Sequence, residues 1–320
     1  VIPNLPPFDA INMIAKRSMA NKSDGVGYYF YETTTGYYFR SWQNMITSQG
    51  NFARPPRQDF YYQPLKMHRE AARNRLQEQT QVERGYESVE EYQFVNNFHD
   101  VVANTTLGTY GHRVISHNLF DKSYDISDYN FHNEYRKTPH LDTVEVNSIN
   151  KFPVMDTPVD YDNNDNISDY PESRVSLQVT TPFLHDKDVG NYGLDADIDG
   201  EKTGQGISQG NQVIEGTSLL LTVKGQSYVQ AGDLITFNLR DVNLDMNKEN
   251  PDDPRFSGNY VITKVRHVVT GEQYKMILEC AKDSVATSYQ DLSLGQSLHG
   301  GVHSTSKKTL QLEEIDGDIY

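Results

Sequence analysis

Several features common in proteins are missing from this sequence of 320 residues. It has one cysteine, Cys280, so no disulfide can form within the chain, which fits assembly in a reducing compartment. Strongly apolar runs such as 219–221 are three residues long, far short of the roughly 20 that a membrane-spanning helix needs. No basic segment precedes an apolar one at the start, so no signal peptide is predicted. Because Val1 is not Met, we expect the chain to be processed or part of a longer one.

Basic residues are also scarce. The chain has 29 Lys and Arg against 44 Asp and Glu, which gives a formal net charge of −15. Tight nucleic-acid binding neutralises phosphates with clustered Lys and Arg, so this composition argues against a stable complex with DNA or RNA. Much of the excess is local, because residues 156–201 carry twelve acidic side chains against only Arg174 and Lys187. We therefore expect long acidic loops in this segment.

Aromatic area, by contrast, is abundant. The chain contains 21 Tyr and 13 Phe, although only 36 % of its residues are hydrophobic even when Tyr is counted. Large aromatic side chains are typical of protein–protein interfaces. The composition therefore predicts a small hydrophobic core within the chain itself and extensive contact with partner chains.

The order of patterns along the chain predicts a β-rich α+β fold. Residues 1–95 are expected to form a helix-and-aromatic-hairpin domain, and residues 96–138 with 211–285 a small antiparallel β-barrel. Residues 139–210 are expected to be an acidic loop-rich insertion, and residues 286–320 an extended C-terminal tail.

The first of these regions has two clear local signals. Apolar residues at helical spacing predict a helix over 7–20, and a second, short helix is predicted over 41–48. Between them, aromatic runs at 28–31 and 37–39 flank a Thr-rich loop closed by Gly36, which predicts a hairpin.

The barrel prediction depends on four apolar runs, at 219–223, 234–239, 260–265 and 274–278, which glycines separate. Paired strands are also predicted between 109 and 131 and are assigned to the same barrel.

Two details add to this prediction. A lone strand is expected at 175–179, within the acidic loops. In the third apolar run, Tyr260, Ile262 and Val268 are predicted to share one face.

One set of residues has the spacing of a catalytic site. Glu91, Asp100 and Thr106 follow the spacing of phage-type muramidases, in which the Glu protonates the glycosidic oxygen. That family places a Gly-rich hairpin between its Glu and Asp, whereas residues 92–99 contain no Gly. We therefore predict no enzymatic activity, and a tail-associated muramidase stays an alternative.

Metal-binding patterns are incomplete. Residues 195–200 read Asp-Ala-Asp-Ile-Asp-Gly, like the start of a calcium loop, but the twelfth position is Gly206 where a bidentate Glu belongs. His112 and His117 are five apart on a predicted strand and so fall on opposite faces. His267 and Cys280 are expected to be packed residues on barrel strands. We predict no metal and no cofactor.

Three stretches resemble one protein family, the central baseplate hubs of contractile-tailed bacteriophages. The first comprises residues 2–8 and the aromatic hairpin, and the second comprises residues 98–124. The third, which is the most specific, joins residues 225–235 to 257–267 and ends with 274–283. The hub-barrel motif in this stretch consists of Gly225, Ala231, Gly232, Asp233, Ile235, Gly258, Tyr260, Ile262, Val265 and His267.

This resemblance implies a structural role in the virion. Such hubs are homotrimers in which each subunit supplies two similar barrels, and the resulting ring adapts the hexameric tail tube to the trimeric cell-puncturing spike. The spike proteins of type VI secretion share this plan. Only the second barrel is evident here, so the first would have to precede Val1.

The implied partners are further copies of the chain, the tube protein above, the spike below and the surrounding baseplate wedge proteins. The implied location is the virion tail, assembled in the host cytoplasm, and DNA would pass in transit without stable binding. An acidic balance suits a lumen that repels phosphate. An unrelated α+β binding module is a further alternative.

Overall fold

A computed structural model gives the fold of the chain over a defined set of residues. Within them, no helix is both long enough and apolar enough to cross a bilayer. The described residues are 4–15, 18, 27–47, 54–62, 85–96, 101–119, 122–135, 137–142, 165–180, 206–208, 210, 217–240, 252–253 and 256–284.

The described part of the chain is a strand-rich mixture of α and β structure, and its largest element is a six-stranded sheet. The four C-terminal apolar runs are strands, as predicted. In spatial order the strands are β3 (Gln58–Tyr62), β9 (Leu234–Leu239), β10 (Gly258–Val269), β11 (Tyr274–Lys282), β8 (Thr217–Lys224) and β4 (Val89–Asn96).

The sheet is curled, and its two edge strands meet. β3 pairs with β9 in parallel, whereas the other four pairings are antiparallel. At the opposite edges, Tyr61 of β3 forms a parallel bridge with Ser88, just before β4. The ring of Tyr62 lies 4.6 Å from that of Tyr92. These contacts bring the two edges of the sheet together at one end of β4.

One side of the curled sheet is the main hydrophobic core. Strand β8 shows why, since its residues alternate strictly and Leu219, Leu221 and Val223 are fully buried. Phe60 of β3 and Val89 of β4 belong to the same cluster as these residues, so the N-terminal strands help to build the core.

A β-bulge in β10 changes which residues face this core. Register against β11 shifts between Ile262 and Lys264, so Val265 packs on the cluster that Tyr260 and Ile262 also join. Beyond the bulge, Val268 pairs with Lys275, on the side away from the core. The prediction that Val268 shares a face with Tyr260 and Ile262 is therefore wrong, because one extra residue reverses the alternation.

The sequence-based grouping of strands is also wrong in two respects. β3 and all but the last residue of β4 lie within residues 1–95, yet both strands are part of the sheet formed by 217–282. The paired strands that were assigned to this sheet, β5 (Gly111–Asn118) and β6 (Ser123–Asn130), form a separate one with β7 (Val175–Thr180). Neighbouring strands of the larger sheet thus come from distant parts of the sequence.

The N-terminal elements are largely as predicted. Helix α1 (Pro7–Ala15) is shorter than the predicted helix over 7–20. The hairpin consists of β1 (Tyr28–Thr33) and β2 (Gly36–Ser41), and α2 (Trp42–Ile46) follows directly. Ser41 caps α2 by accepting a hydrogen bond from the backbone N–H of Asn44.

Two further short helices border the three-stranded sheet. Helix α3 (Val101–Thr106) ends shortly before Gly108, whose positive φ of 75° suits glycine. Helix α4 (Phe131–Tyr135) directly follows β6 and contributes to a small aromatic cluster with Tyr110 and Tyr129. Most of the predicted acidic insertion and all of the predicted C-terminal tail lie outside the described residues.

Candidate functional site

Each of the three glycines singled out in the sequence lies where another group approaches the backbone closely. The ring of Tyr274 occupies the space that a side chain at Gly225 would need. Tyr31 does the same at Gly232, whose φ is +82°. At Gly258, with φ +126°, a Cβ would lie 2.7 Å from a carboxylate oxygen of Asp142. All three positions therefore favour glycine on steric grounds, and Gly232 and Gly258 favour it also because of their positive φ.

The Ala231-Gly232-Asp233 segment is a tight turn, and it positions the aromatic hairpin. The N–H of Asp233 donates to the carbonyl of Gln230 at 3.2 Å, and the Asp233 carboxylate accepts from the Gln230 N–H. The side chain of Gln230 then donates to Thr34 Oγ1 at 2.8 Å, at the tip of the hairpin. The turn that begins β9 thus joins β1 and β2 to the large sheet.

The remaining motif residues divide into buried and exposed ones. Ile235, Tyr260 and Ile262 are buried in the core, whereas Ala231 is half-buried in the turn. His267 is exposed, and its Nδ1 lies 2.9 Å from the hydroxyl of Tyr274. The expectation that His267 is packed is wrong, because the β10–β11 hairpin extends past the core. Cys280 is fully buried, as expected.

The most polar part of the interior lies where β11 ends, and we call it the buried charged cluster (Trp42, His140, Asp142, Lys282, Asp283). Asp283 is fully buried and its Oδ2 accepts from Trp42 Nε1 at 2.9 Å and from His140 Nδ1 at 3.0 Å. Its other oxygen accepts from the backbone N–H of Leu141 at 3.1 Å. The carboxylate is therefore well supplied with donors, as a buried charge must be.

These partners determine the ionisation of Asp283. Burial alone would raise the pKa of its carboxyl, but the charge of His140 and the hydrogen bonds from His140, Trp42 and Leu141 together hold that pKa below its ordinary value. The Nε2 of His140 lies 2.9 Å from the carbonyl of Tyr135, so both ring nitrogens face acceptors. His140 therefore links Asp283 to the backbone at Tyr135 through contacts of both ring nitrogens.

An ion pair between Lys282 and Asp142 lies beside this contact. Nζ of Lys282, with no exposed side-chain surface, is 2.7 Å from Oδ2 of Asp142 and 2.7 Å from the carbonyl of Ser257. The other oxygen of Asp142 accepts from the backbone N–H of Asn259 at 2.9 Å. The two pairs together fasten residues 140–142 to the ends of β10 and β11. Because both pairs are buried, the role of the cluster is structural: it holds residues 140–142 against the large sheet.

Sequence reasoning did not find this cluster. The local signal is a run of polar residues, Lys282, Asp283 and Ser284, directly after an apolar strand. Their partners lie about 140 or more positions away in sequence, so spacing could not identify them.

The proposed catalytic set is not brought together in the described residues. Glu91 is exposed on β4, where it pairs with Thr222. The hydroxyl of Thr106 donates to the carbonyl of Ala103 within α3, and Asp100 lies outside the described residues.

The candidate metal ligands give a similar result. His112 is fully buried against the ring of Tyr129, and His117 lies on the opposite face of β5, as predicted. Across the described ranges, no group of three or more His, Cys, Asp or Glu could hold a metal ion. The predicted calcium-like loop at 195–200 lies outside those ranges.

The three-stranded sheet has one broad apolar face that is open to solvent. Register places residues of all three strands side by side on it, in rows such as Ile126–Ile115–Leu177. Apart from half-buried Ile115, its apolar members are between 50 % and 71 % exposed. We call this surface the sheet face, and its apolar members are Ile115, Tyr124, Ile126, Val175, Leu177 and Val179.

A second exposed apolar surface lies on the N-terminal hairpin. Phe30 pairs with Phe39 across the hairpin, and Phe30 stacks on Tyr37 with ring centroids 5.8 Å apart. Phe8 of α1 adds a ring 5.7 Å from Phe30, and Tyr28 stacks on Phe39 at 5.0 Å. We call these five side chains the aromatic patch. The opposite face of the hairpin packs inward through Tyr29 and Tyr31.

The fold and the surfaces define the chain as a strand-rich α/β protein with a curled sheet, a buried charged cluster and two exposed apolar surfaces. No protein family model matches the chain, and no curated protein matches it significantly in sequence.

Proposed function

We propose that this chain is a structural component of the central hub of a contractile phage-tail baseplate. In this proposal three copies form a ring that adapts the hexameric tail tube to the trimeric spike, without enzymatic activity. The observation that carries the proposal is the curled six-stranded sheet whose edge strands meet at Tyr61 and Ser88. Four of its strands, β8–β11, contain or adjoin the stretches that resemble the hub family.

The curled sheet would serve as the small barrel of the hub. Its interior is filled by side chains such as Phe60, Phe237 and Tyr260, so it would act as a rigid wall segment rather than as a channel. The channel would then lie between copies of the chain. A wall segment of this kind needs firm closure, which the contact between β3 and β4 and the buried charged cluster would supply.

The distribution of charge supports passage of DNA without binding. On the sheet, Lys264 is 3.0 Å from a carboxylate oxygen of Glu279, and Lys275 is 2.7 Å from one of Glu90. Cations that are already paired with carboxylates attract phosphate weakly, because the neighbouring carboxylate cancels much of their charge. They therefore neutralise fewer phosphates and release fewer counterions from DNA. Together with the net charge of −15, this pairing favours a ring that does not retain DNA.

The first test is the mass of the full chain in solution. Sedimentation velocity at micromolar concentration is expected to give three copies, and electron microscopy of that species is expected to show a ring with a central opening. A chain that stays monomeric over this range would contradict the proposal. Peptidoglycan clearing in a zymogram that disappears in Glu91→Gln would also contradict it, and would favour the muramidase alternative.

A further inference from the structure

Two separate apolar surfaces on one chain raise the question of what covers them. The sheet face has five side chains at least half exposed, an apolar area on the order of 500 Å². That is about as large as the largest apolar patch on a typical monomer, and the aromatic patch comes in addition. The exposed fractions of Phe8, Tyr37 and Phe39 lie between 43 % and 58 %.

The symmetry of an assembly decides how such surfaces can pair. A twofold dimer covers both surfaces only if the sheet face of each copy meets the aromatic patch of the other within one continuous interface, and the measured mass separates such a dimer from a ring. A closed ring instead needs two different surfaces on each copy, one for the preceding neighbour and one for the next. A chain with two unlike apolar surfaces satisfies the second requirement.

We propose that the sheet face of one copy docks on the aromatic patch of the next copy around the ring. The inference rests on the proposed threefold hub and assigns its subunit contact. Aliphatic side chains of the sheet face, Leu177 foremost, would pack against rings such as Tyr37. The two surfaces together supply on the order of 1,000 Å² of apolar area, and a polar rim brings this to the size of a specific interface.

The chemistry of the two surfaces fits this pairing. Apart from Tyr124 on the edge strand β6, the apolar members of the sheet face are β-branched residues and Leu on a pleated surface, and the aromatic patch offers the edges and faces of stacked rings. Aromatic rings pack well on β-branched residues. The charges at one end of the sheet face are already satisfied, since Arg113 holds Asp128 at 2.7 Å and Glu172 at 3.1 Å. Docking therefore buries apolar surface without stranding these charges.

The test uses one charged substitution on each surface of the full chain. Leu177→Glu alters the sheet face and Tyr37→Glu alters the aromatic patch, and both side chains are more than half exposed, so folding is spared. Val269→Glu is the matched control, because Val269 is 74 % exposed in the β10–β11 hairpin and belongs to neither surface. Each surface variant is expected to weaken assembly at least about tenfold in sedimentation velocity, while the control stays trimeric.

Mixing the two surface variants gives the decisive measurement. The Tyr37→Glu chain keeps an intact sheet face and the Leu177→Glu chain keeps an intact aromatic patch, so one contact can form between them. The mixture is therefore expected to give two-chain species and no larger ones, although each variant alone is monomeric.

Other outcomes overturn the inference in distinguishable ways. If the sheet face pairs with itself, Leu177→Glu alone disrupts assembly and mixing restores nothing. If a segment of the same chain covers the sheet face, Leu177→Glu lowers thermal stability but leaves the trimer intact. If both variants stay trimeric, this inference fails while the hub proposal stands. A wild-type chain that is monomeric throughout contradicts the hub proposal itself.

Discussion

Nζ of Lys282 lies 2.7 Å from Oδ2 of Asp142, and neither side chain is more than 6 % exposed. A buried ion pair of this kind contributes little net stability as a pair, but removing one partner leaves the other charge stranded. We therefore expect Lys282→Met to lower the free energy of unfolding by about 3–5 kcal/mol, measured by urea denaturation with Trp42 fluorescence.

The same experiment has an internal control and a rescue. Lys264→Met removes an exposed ion pair with Glu279 and is expected to cost at most about 1 kcal/mol. Adding Asp142→Asn to Lys282→Met removes the stranded charge and keeps an acceptor for the N–H of Asn259, so part of the loss returns. A double variant no more stable than Lys282→Met would contradict this account.

The lowered pKa of Asp283 makes stability depend on pH in the acid range. Because this pKa is lower in the folded than in the unfolded chain, the unfolded state takes up the proton first as pH falls. The contribution is complete above the ordinary pKa of about 3.9 and is lost as pH falls through the folded-state value. Unfolding free energies of the wild type are therefore expected to drop steeply below about pH 4.

Two variants separate Asp283 from the other carboxyls. Asp283→Asn is expected to be less stable near neutral pH and to lose less on acidification, so that its curve approaches that of the wild type. Glu272→Gln, which alters an exposed carboxyl in the β10–β11 turn, is expected to follow the wild-type curve. Parallel curves for Asp283→Asn and the wild type would argue against a lowered pKa at this site.

Gly232 allows a test of how the hairpin docks on the sheet. Its φ of +82° and the closeness of Tyr31 both oppose a side chain, so Gly232→Ala is expected to cost about 1–3 kcal/mol. Gly271→Ala is the matched control, because nothing lies within 4 Å of a Cβ there. Thermal unfolding of both variants checks the difference, and equal melting temperatures would contradict it.

The reactivity of the Cys280 thiol reports how often the core opens. Cys280 is fully buried, and burial raises the pKa of its thiol, so the reactive thiolate is scarce in the folded state. We expect no reaction with a thiol reagent over hours in buffer and complete reaction in denaturant. Lys282→Met is expected to speed labelling in buffer by about 100-fold or more, in line with its lost stability. Rapid labelling of the native wild type would place Cys280 outside the core.

How far the sequence predicts this fold depends on whether the signal is local. Strand β8 is predictable because its apolar run and the glycine that follows it lie within one short window. Strand β3 is not, because Gln58–Tyr62 is short and its partner β9 lies more than 170 positions away. Pairing between distant strands depends on complementarity of whole faces, which no window of sequence displays.

The same distinction applies to the candidate site. The need for glycine at 225, 232 and 258 was visible as a motif, but the groups that approach these glycines were not. Tyr31 and Asp142 are separated from them by more than a hundred positions. Bulges add a further limit, since the one in β10 reverses the alternation on which the placing of Val268 depended.

The position of β4 beside β8 has a consequence for synthesis of the chain. Asn96 and Ser218 are partners in the sheet, yet the ribosome makes them more than 120 residues apart. At ordinary rates of translation, β3 and β4 wait on the order of 10 s before the strands that complete their sheet emerge. During that interval Phe60 and Val89 have no finished core to enter. The nascent chain is therefore most exposed to misassociation in the interval between synthesis of β4 and synthesis of β8.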